Sequence, residues 1–138
     1  MPMVKTACSA QAFVALGANI ENPIQQLQDA VLRLSLDDAI DIVTTSPIYR
    51  SAAYGVTDQH DFYNAVIEIK TRYSAIALLE MLLATELEQG RVRKRHWGPR
   101  CIDLDLLSYE DQRWATNRLT LPHPGISLRR FVLLPLND

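Results

Sequence analysis

The run I-D-L-D-L-L at 102–107 constrains this chain more than any other stretch. Successive side chains of a strand point to opposite sides, so Ile102, Leu104 and Leu106 are expected on a core face and Asp103 and Asp105 together on the other. Just ahead of it the sequence is basic. Residues 90–107 read G-R-V-R-K-R-H-W-G-P-R-C-I-D-L-D-L-L, and five of the fourteen lysines and arginines fall between Arg91 and Arg100. Such clustering departs from an evenly solvated surface and predicts an anionic ligand nearby.

The remaining segments set this strand in a pattern. An apolar run at 13–16 ending in Gly17-Ala18-Asn19 predicts a first strand that turns sharply at the glycine. Asn22 and Pro23 supply an N-cap and a first helical residue, and Ile24, Leu27, Val31 and Leu34 recur at helical spacing. Residues 40–49 predict a second strand, with Pro47 near an edge or bulge. Residues 51–61 lack periodicity and read as a surface loop of the kind that closes sites.

Alternation over 62–71 predicts a third strand, with Ala65, Ile67 and Ile69 opposite Val66, Glu68 and Lys70, and Phe62 and Asn64 sharing one face. Ser74 is placed to cap a second helix lined by Leu79, Leu82, Leu83 and Glu86, with Gly90 ending it. After the aspartate strand, 110–112 reads as a turn. Arg113-Trp114 and 119–122 are short extended pieces, and 131–136 is a last apolar segment. The order strand, helix, strand, strand, helix, strand predicts an α+β ferredoxin-like sandwich, mostly antiparallel sheet with the helices packed on one side.

At 138 residues the chain suits one domain, placed at 11–138 behind a flexible tail at 1–10. A formal net charge of -2 excludes general attraction to nucleic acid or membrane, so the anion site must be local. No apolar run is long enough to span a bilayer or serve as a signal segment. Cys8 and Cys101 form no C-x-x-C pattern and suit free thiols in a reducing, cytoplasmic compartment.

Two carboxylates at i and i+2 on a strand lie about 7 Å apart at the α-carbons and point the same way. They suit either solvated surface charges or a magnesium site, because magnesium accepts one or two protein carboxylates and completes its shell with water and substrate phosphates. The adjoining arginines favour the metal. Arg91 and Arg100 flank the loop and can meet at one phosphate chain, which a planar guanidinium grips with paired hydrogen bonds. Trp97 suits stacking on a ring and anchoring of the loop equally. G-x-x-x-x-G-K-[ST], G-x-G-x-x-G and the protein-kinase motifs are absent from the sequence, and His60, His96 and His123 have no metal-ligand spacing.

The motifs L-G-A-N, S-P-I-Y-R-S, D-F-Y-N-A-V, G-R-V-R with W-G-P-R-C-I-D-L-D-L-L, L-P-H-P and R-R-F-V-L-L-P-L, in this order, resemble the 6-hydroxymethyl-7,8-dihydropterin pyrophosphokinase family of folate biosynthesis. The resemblance runs from Phe13 to Leu136. It implies Mg-dependent transfer of the β,γ-pyrophosphoryl group of ATP to the pterin hydroxymethyl oxygen, with release of AMP and two Mg2+ ions at the site. By position it implies that Asp103 and Asp105 hold the metals and that Arg91 and Arg100 act catalytically on the transferring group. Arg93, Trp97, Arg118, Thr120, His123 and Arg129 would contact ATP. Phe62 and Phe131 would sandwich the pterin, Asn64 would bond its polar edge, and Ser51, Tyr54 and Gly55 would line the pocket. A monomer is expected, with no nucleic-acid or membrane partner.

Three departures from the family pattern stand out. Leu83 replaces a frequent glutamine and His96 a frequent arginine, with ATP affinity the expected casualty. The chain stops at Asp138, where the family continues through an E-I-A-P-like segment, which bears on stability more than on chemistry. Two alternatives compete with the enzyme. One is an RNA-recognition-like module, which lacks its paired-aromatic signature here. The other is a non-catalytic relative that binds pterin or nucleotide.

Overall fold

In a computed structural model that describes residues 5–19, 22–51, 61–91, 102–116 and 119–121, the elements run β1 (Lys5–Ala18), α1 (Pro23–Ser35), β2 (Ile40–Thr45), β3 (Tyr49–Ser51), β4 (Phe62–Tyr73), α2 (Ala75–Arg91), β5 (Asp103–Tyr109), β6 (Trp114–Ala115) and β7 (Thr120–Leu121). The main sheet has the order β2-β4-β1-β5 with β3 also on β4, and its pairings are antiparallel. This is the expected ferredoxin-like arrangement, with the first and third long strands at the centre. β6 and β7 form a separate small hairpin.

Alternation in the central strands decides the layers. Ala12, Val14, Leu16 and Ala18 of β1, Ile67 and Ile69 of β4, and Leu104 and Leu106 of β5 join Leu27, Ala30 and Leu34 of α1 and Leu78 and Leu82 of α2 in one core. Leu34, Leu78 and Leu82 are fully buried, each contributing about 2 kcal/mol by removal from water. Phe13, Ala15, Val66 and Leu107 cluster on the opposite face, which neither helix covers. This second face, opposite α1 and α2, is where cross-strand neighbours outside the main core must project.

Several local expectations are corrected. β1 begins at Lys5, so residues 5–10 belong to the strand, although its register with β4 shifts between Lys5 and Ala10. Gly17 is no turn: it lies inside β1 and pairs with a strand on each side. Asn22 occupies the N-cap of α1 with φ 54° and makes no side-chain cap bond. Ile24 is 45% exposed because the helix turns Leu27, Ala30 and Leu34 toward the sheet instead. The expected strand over 40–49 is broken at 46–48, where Ser46 bonds Val66 through both its backbone N–H and its Oγ, each at 2.9 Å, while Pro47 takes a non-laddered position.

The second helix is capped as expected, with Ser74 Oγ accepting the Ala77 N–H at 3.2 Å. It does not stop at Gly90. Gln89 is buried, and its Nε2 donates to Gln26 O at 3.1 Å and Gln26 Oε1 at 2.9 Å on α1. That tertiary anchor outweighs the roughly 1 kcal/mol helical penalty of glycine. The same rotation leaves Leu83 42% exposed, outside the buried line of Leu78, Leu82 and Thr85. The turn expected at 110–112 is present, with Glu110 at φ 49°.

Candidate active site on the second sheet face

Sheet register brings the predicted residues into one row. Gly17 pairs with Asn64 on β4 and with Asp103 on β5, and Asn64 pairs in turn with Tyr49 on β3. One step along, Ala15 pairs with Val66 and with Asp105. Ser51 pairs with Phe62, and directly opposed residues share a face. Asp103, Asp105, Asn64, Phe62 and Ser51 therefore all lie on the face opposite α1 and α2.

Their environments differ in a useful way. Asp103 is exposed and Asp105 half-buried, so both carboxylates reach the surface while their strand is rooted through Leu104 and Leu106. Two hard oxygen donors on successive outward positions fit magnesium, which needs no third protein ligand. The backbone between them is held from the helix side: Glu86 Oε2 accepts the Leu104 N–H at 2.7 Å. Glu86 appeared in the sequence only as part of a helix face. Its sole sequence signal is a carboxylate one turn before the helix end.

On the other side of the row, Asn64 is only 4% exposed. Its Nδ2 is buried and has no hydrogen-bond partner among the described residues. A buried unpaired donor costs about 1–3 kcal/mol, so this amide is kept at the site against a stability gradient. Phe62 lies two residues earlier on the same face and is exposed. Between β3 and β4, Arg50 Nε donates to Asp61 Oδ2 at 2.6 Å, which ties together the two sides of the segment 52–60. That bond, with the Asp61 charge, raises the Arg50 guanidinium above its ordinary value.

Thr120 is exposed on β7 between Leu119 and Leu121, which enter the core, and its register partner is Ala115. Among the described residues, no strand pairing links it to the aspartates. Arg91 supplies the last helical residue of α2. Arg93, Trp97, Arg100, Arg118, His123, Arg129, Tyr54, Gly55 and Phe131 lie outside the described residues, as do residues 52–60 of the loop expected to close the site.

Comparison with known proteins converges on one family. The family model described as 7,8-dihydro-6-hydroxymethylpterin-pyrophosphokinase (HPPK) matches residues 13–138. A 2-amino-4-hydroxy-6-hydroxymethyldihydropteridine pyrophosphokinase of Haemophilus influenzae is 44% identical over 125 residues, covering 91% of this chain and 78% of the relative. The protein of the same name from Bacillus subtilis is 40% identical over 127 residues, covering 92% and 76%. Among solved structures, wild-type Plasmodium falciparum HPPK-DHPS with SDX-DHP superposes with a TM-score of 0.67 at 15% identity, over 94% of this chain and 40% of that one. At that identity the likeness speaks for the fold.

Proposed function

Because the chain belongs to the 7,8-dihydro-6-hydroxymethylpterin-pyrophosphokinase family and transfers pyrophosphate from ATP to the hydroxymethyl group of 6-hydroxymethyl-7,8-dihydropterin in folate biosynthesis, we propose how the sheet face opposite α1 and α2 divides the work. The observation that carries this reading is the row Asn64, Gly17, Asp103 across three adjacent strands. Two strand spacings amount to about 10 Å. A flat bicyclic ring held at Asn64 can therefore extend its hydroxymethyl arm toward phosphate held at Asp103 and Asp105.

On the pterin side, the Asn64 amide meets the polar edge of the ring, Phe62 and Phe131 stack on its faces, and Ser51, Tyr54 and Gly55 line the pocket. On the nucleotide side, Asp103 and Asp105 hold two Mg2+ ions, with Arg91 and Arg100 on the transferring phosphates. Arg93, Trp97, Arg118, Thr120, His123 and Arg129 hold the rest of ATP. Bound magnesium supplies charge neutralisation to the phosphate chain.

The hydroxymethyl oxygen attacks the β-phosphorus in line, and its proton passes to water. The new oxygen–phosphorus bond forms as the bond from the α,β-bridging oxygen to the β-phosphorus breaks, and AMP leaves. The protein's own contribution is positioning and fixed charge: guanidinium donors aimed at the phosphates, and a ring immobilised by stacking and one amide. The segments 51–61 and 91–97 close over the substrates and exclude water. Unchanged hydrogen exchange there on adding pterin and an ATP analogue would refute closure.

The domain acts in the cytoplasm as a monomer, in keeping with a reducing compartment for the two thiols Cys8 and Cys101. Among the described residues, no helix is long and apolar enough to cross a membrane. Size-exclusion chromatography and cell fractionation test these two points. The decisive assay combines protein, magnesium, ATP and 6-hydroxymethyl-7,8-dihydropterin and identifies the nucleotide product. AMP is expected, and ADP would overturn the reaction type.

A further inference from the structure

Glycine inside a strand interior weakens it, and its presence marks a close approach that a side chain would block. Gly17 is such a position. A Cβ built on it would lie 2.8 Å from Asn64 Oδ1, shorter than carbon and oxygen tolerate without bonding. The contact falls between residues that are register partners on adjacent strands, so neither backbone can withdraw without breaking the central ladder. Asn64 itself is 4% exposed and walled in. The displaced atom would have to be the carboxamide.

We propose that Gly17 is the positioning residue for pterin recognition: by lacking a Cβ, it lets the Asn64 carboxamide lie against β1 in the one rotamer that aims its unpartnered Nδ2 at the ring's acceptor edge. The inference rests on the reading that Asn64 meets the pterin. Gly17 touches no substrate in this scheme. Its backbone is held by β4 and β5, and its effect passes entirely through Asn64.

This separates it from a merely structural glycine. Loss of the Nδ2 bond falls on the pterin and leaves nucleotide held at Asp103 and Asp105 untouched. Larger side chains at 17 fail for the same reason as alanine. Shortening residue 64 removes the obstacle, so the two positions are coupled by sterics.

The test is a double-mutant cycle read by binding of 6-hydroxymethyl-7,8-dihydropterin, in the presence of magnesium and a non-hydrolysable ATP analogue, and of the analogue separately. Gly17→Ala is expected to raise the pterin Kd by about tenfold or more and to leave the analogue Kd within about twofold. In an Asn64→Ala background, which itself weakens pterin binding, Gly17→Ala should change the pterin Kd by less than about twofold. Equal weakening by Gly17→Ala in both backgrounds, or none in the wild type, overturns the role of Gly17. An Asn64→Ala variant that binds pterin normally instead overturns the placement of the ring. If Gly17→Ala fails to fold, the double variant decides: recovery of the fold with the pterin affinity of Asn64→Ala supports the steric coupling, and an unfolded double variant refutes it.

Discussion

Asn64 and Asp103 are paired to the same residue, Gly17, from opposite sides of β1. Residues 39 positions apart in sequence thereby become second neighbours on one sheet face. The arrangement sets a fixed span between the amide proposed to meet the pterin and a carboxylate proposed to hold magnesium. Because three hydrogen-bonded strands define the span, it is insensitive to motion in the connecting loops.

Replacing either aspartate tests the metal assignment. Asp103→Ala and Asp105→Ala are each expected to lower kcat by about 10²-fold or more while far-UV circular dichroism and Tm stay close to wild type, since Asp103 is exposed and Asp105 only half-buried. Near-normal turnover in steady-state assays at saturating magnesium would remove the residue from the metal site.

Glu86 links the second helix to the aspartate strand through the Leu104 N–H. Glu86→Ala removes this acceptor and is expected to cost about 1–3 kcal/mol in chemical denaturation. It should also lower kcat more than it alters the pterin KM, because Leu104 lies between Asp103 and Asp105, the two residues proposed to hold magnesium. Glu86→Gln keeps a carbonyl acceptor and should recover most of both losses. Indistinguishable alanine and glutamine variants would contradict the linkage.

Alkaline stability reports on Tyr73. Burial, and then the Tyr73 Oη–H donating to Asp37 Oδ2 at 2.6 Å, push its phenol up to about 12 from 10.0. The folded state therefore keeps a proton that the unfolded chain loses, so this contribution is complete below pH 10 and disappears as pH rises toward 12. Two units correspond to about 2–3 kcal/mol. Urea denaturation between pH 9 and pH 12, on the order of that shift, should show the loss in wild type. Tyr73→Phe should show a flatter profile; an equally steep one would exclude Tyr73 as the source.

A core substitution provides the contrast. Leu82 is fully buried between α2 and the sheet, and Leu82→Ala is expected to lose about 2–5 kcal/mol in denaturant titration. At temperatures where the variant remains folded, kcat and both KM values should hold. A selective rise in one KM would mean that the core transmits to the opposite sheet face.

Some of the molecule was legible in one dimension. The period-two alternation of 62–71 and 102–107 and the helical spacing of Leu27 and Leu34 stated which faces turn inward, because burial of apolar side chains is local to an element and strongly signed. The motifs around Asp103 and Asp105 identified the family for the same reason: site chemistry needs those residue types at those spacings. What tertiary structure decided was everything set by partners distant in sequence. Gly17 read as a turn and proved to be a paired strand residue, since β4 and β5 clamp it from both sides. Gly90 read as a stop and proved helical, since Gln89 is fastened to Gln26. Above all, the I-D-L-D-L-L run determined by itself that two carboxylates share an outward face. Only the sheet's register determined that Asn64 would stand two strands away with its amide against Gly17, because pairing between strands depends on the whole fold.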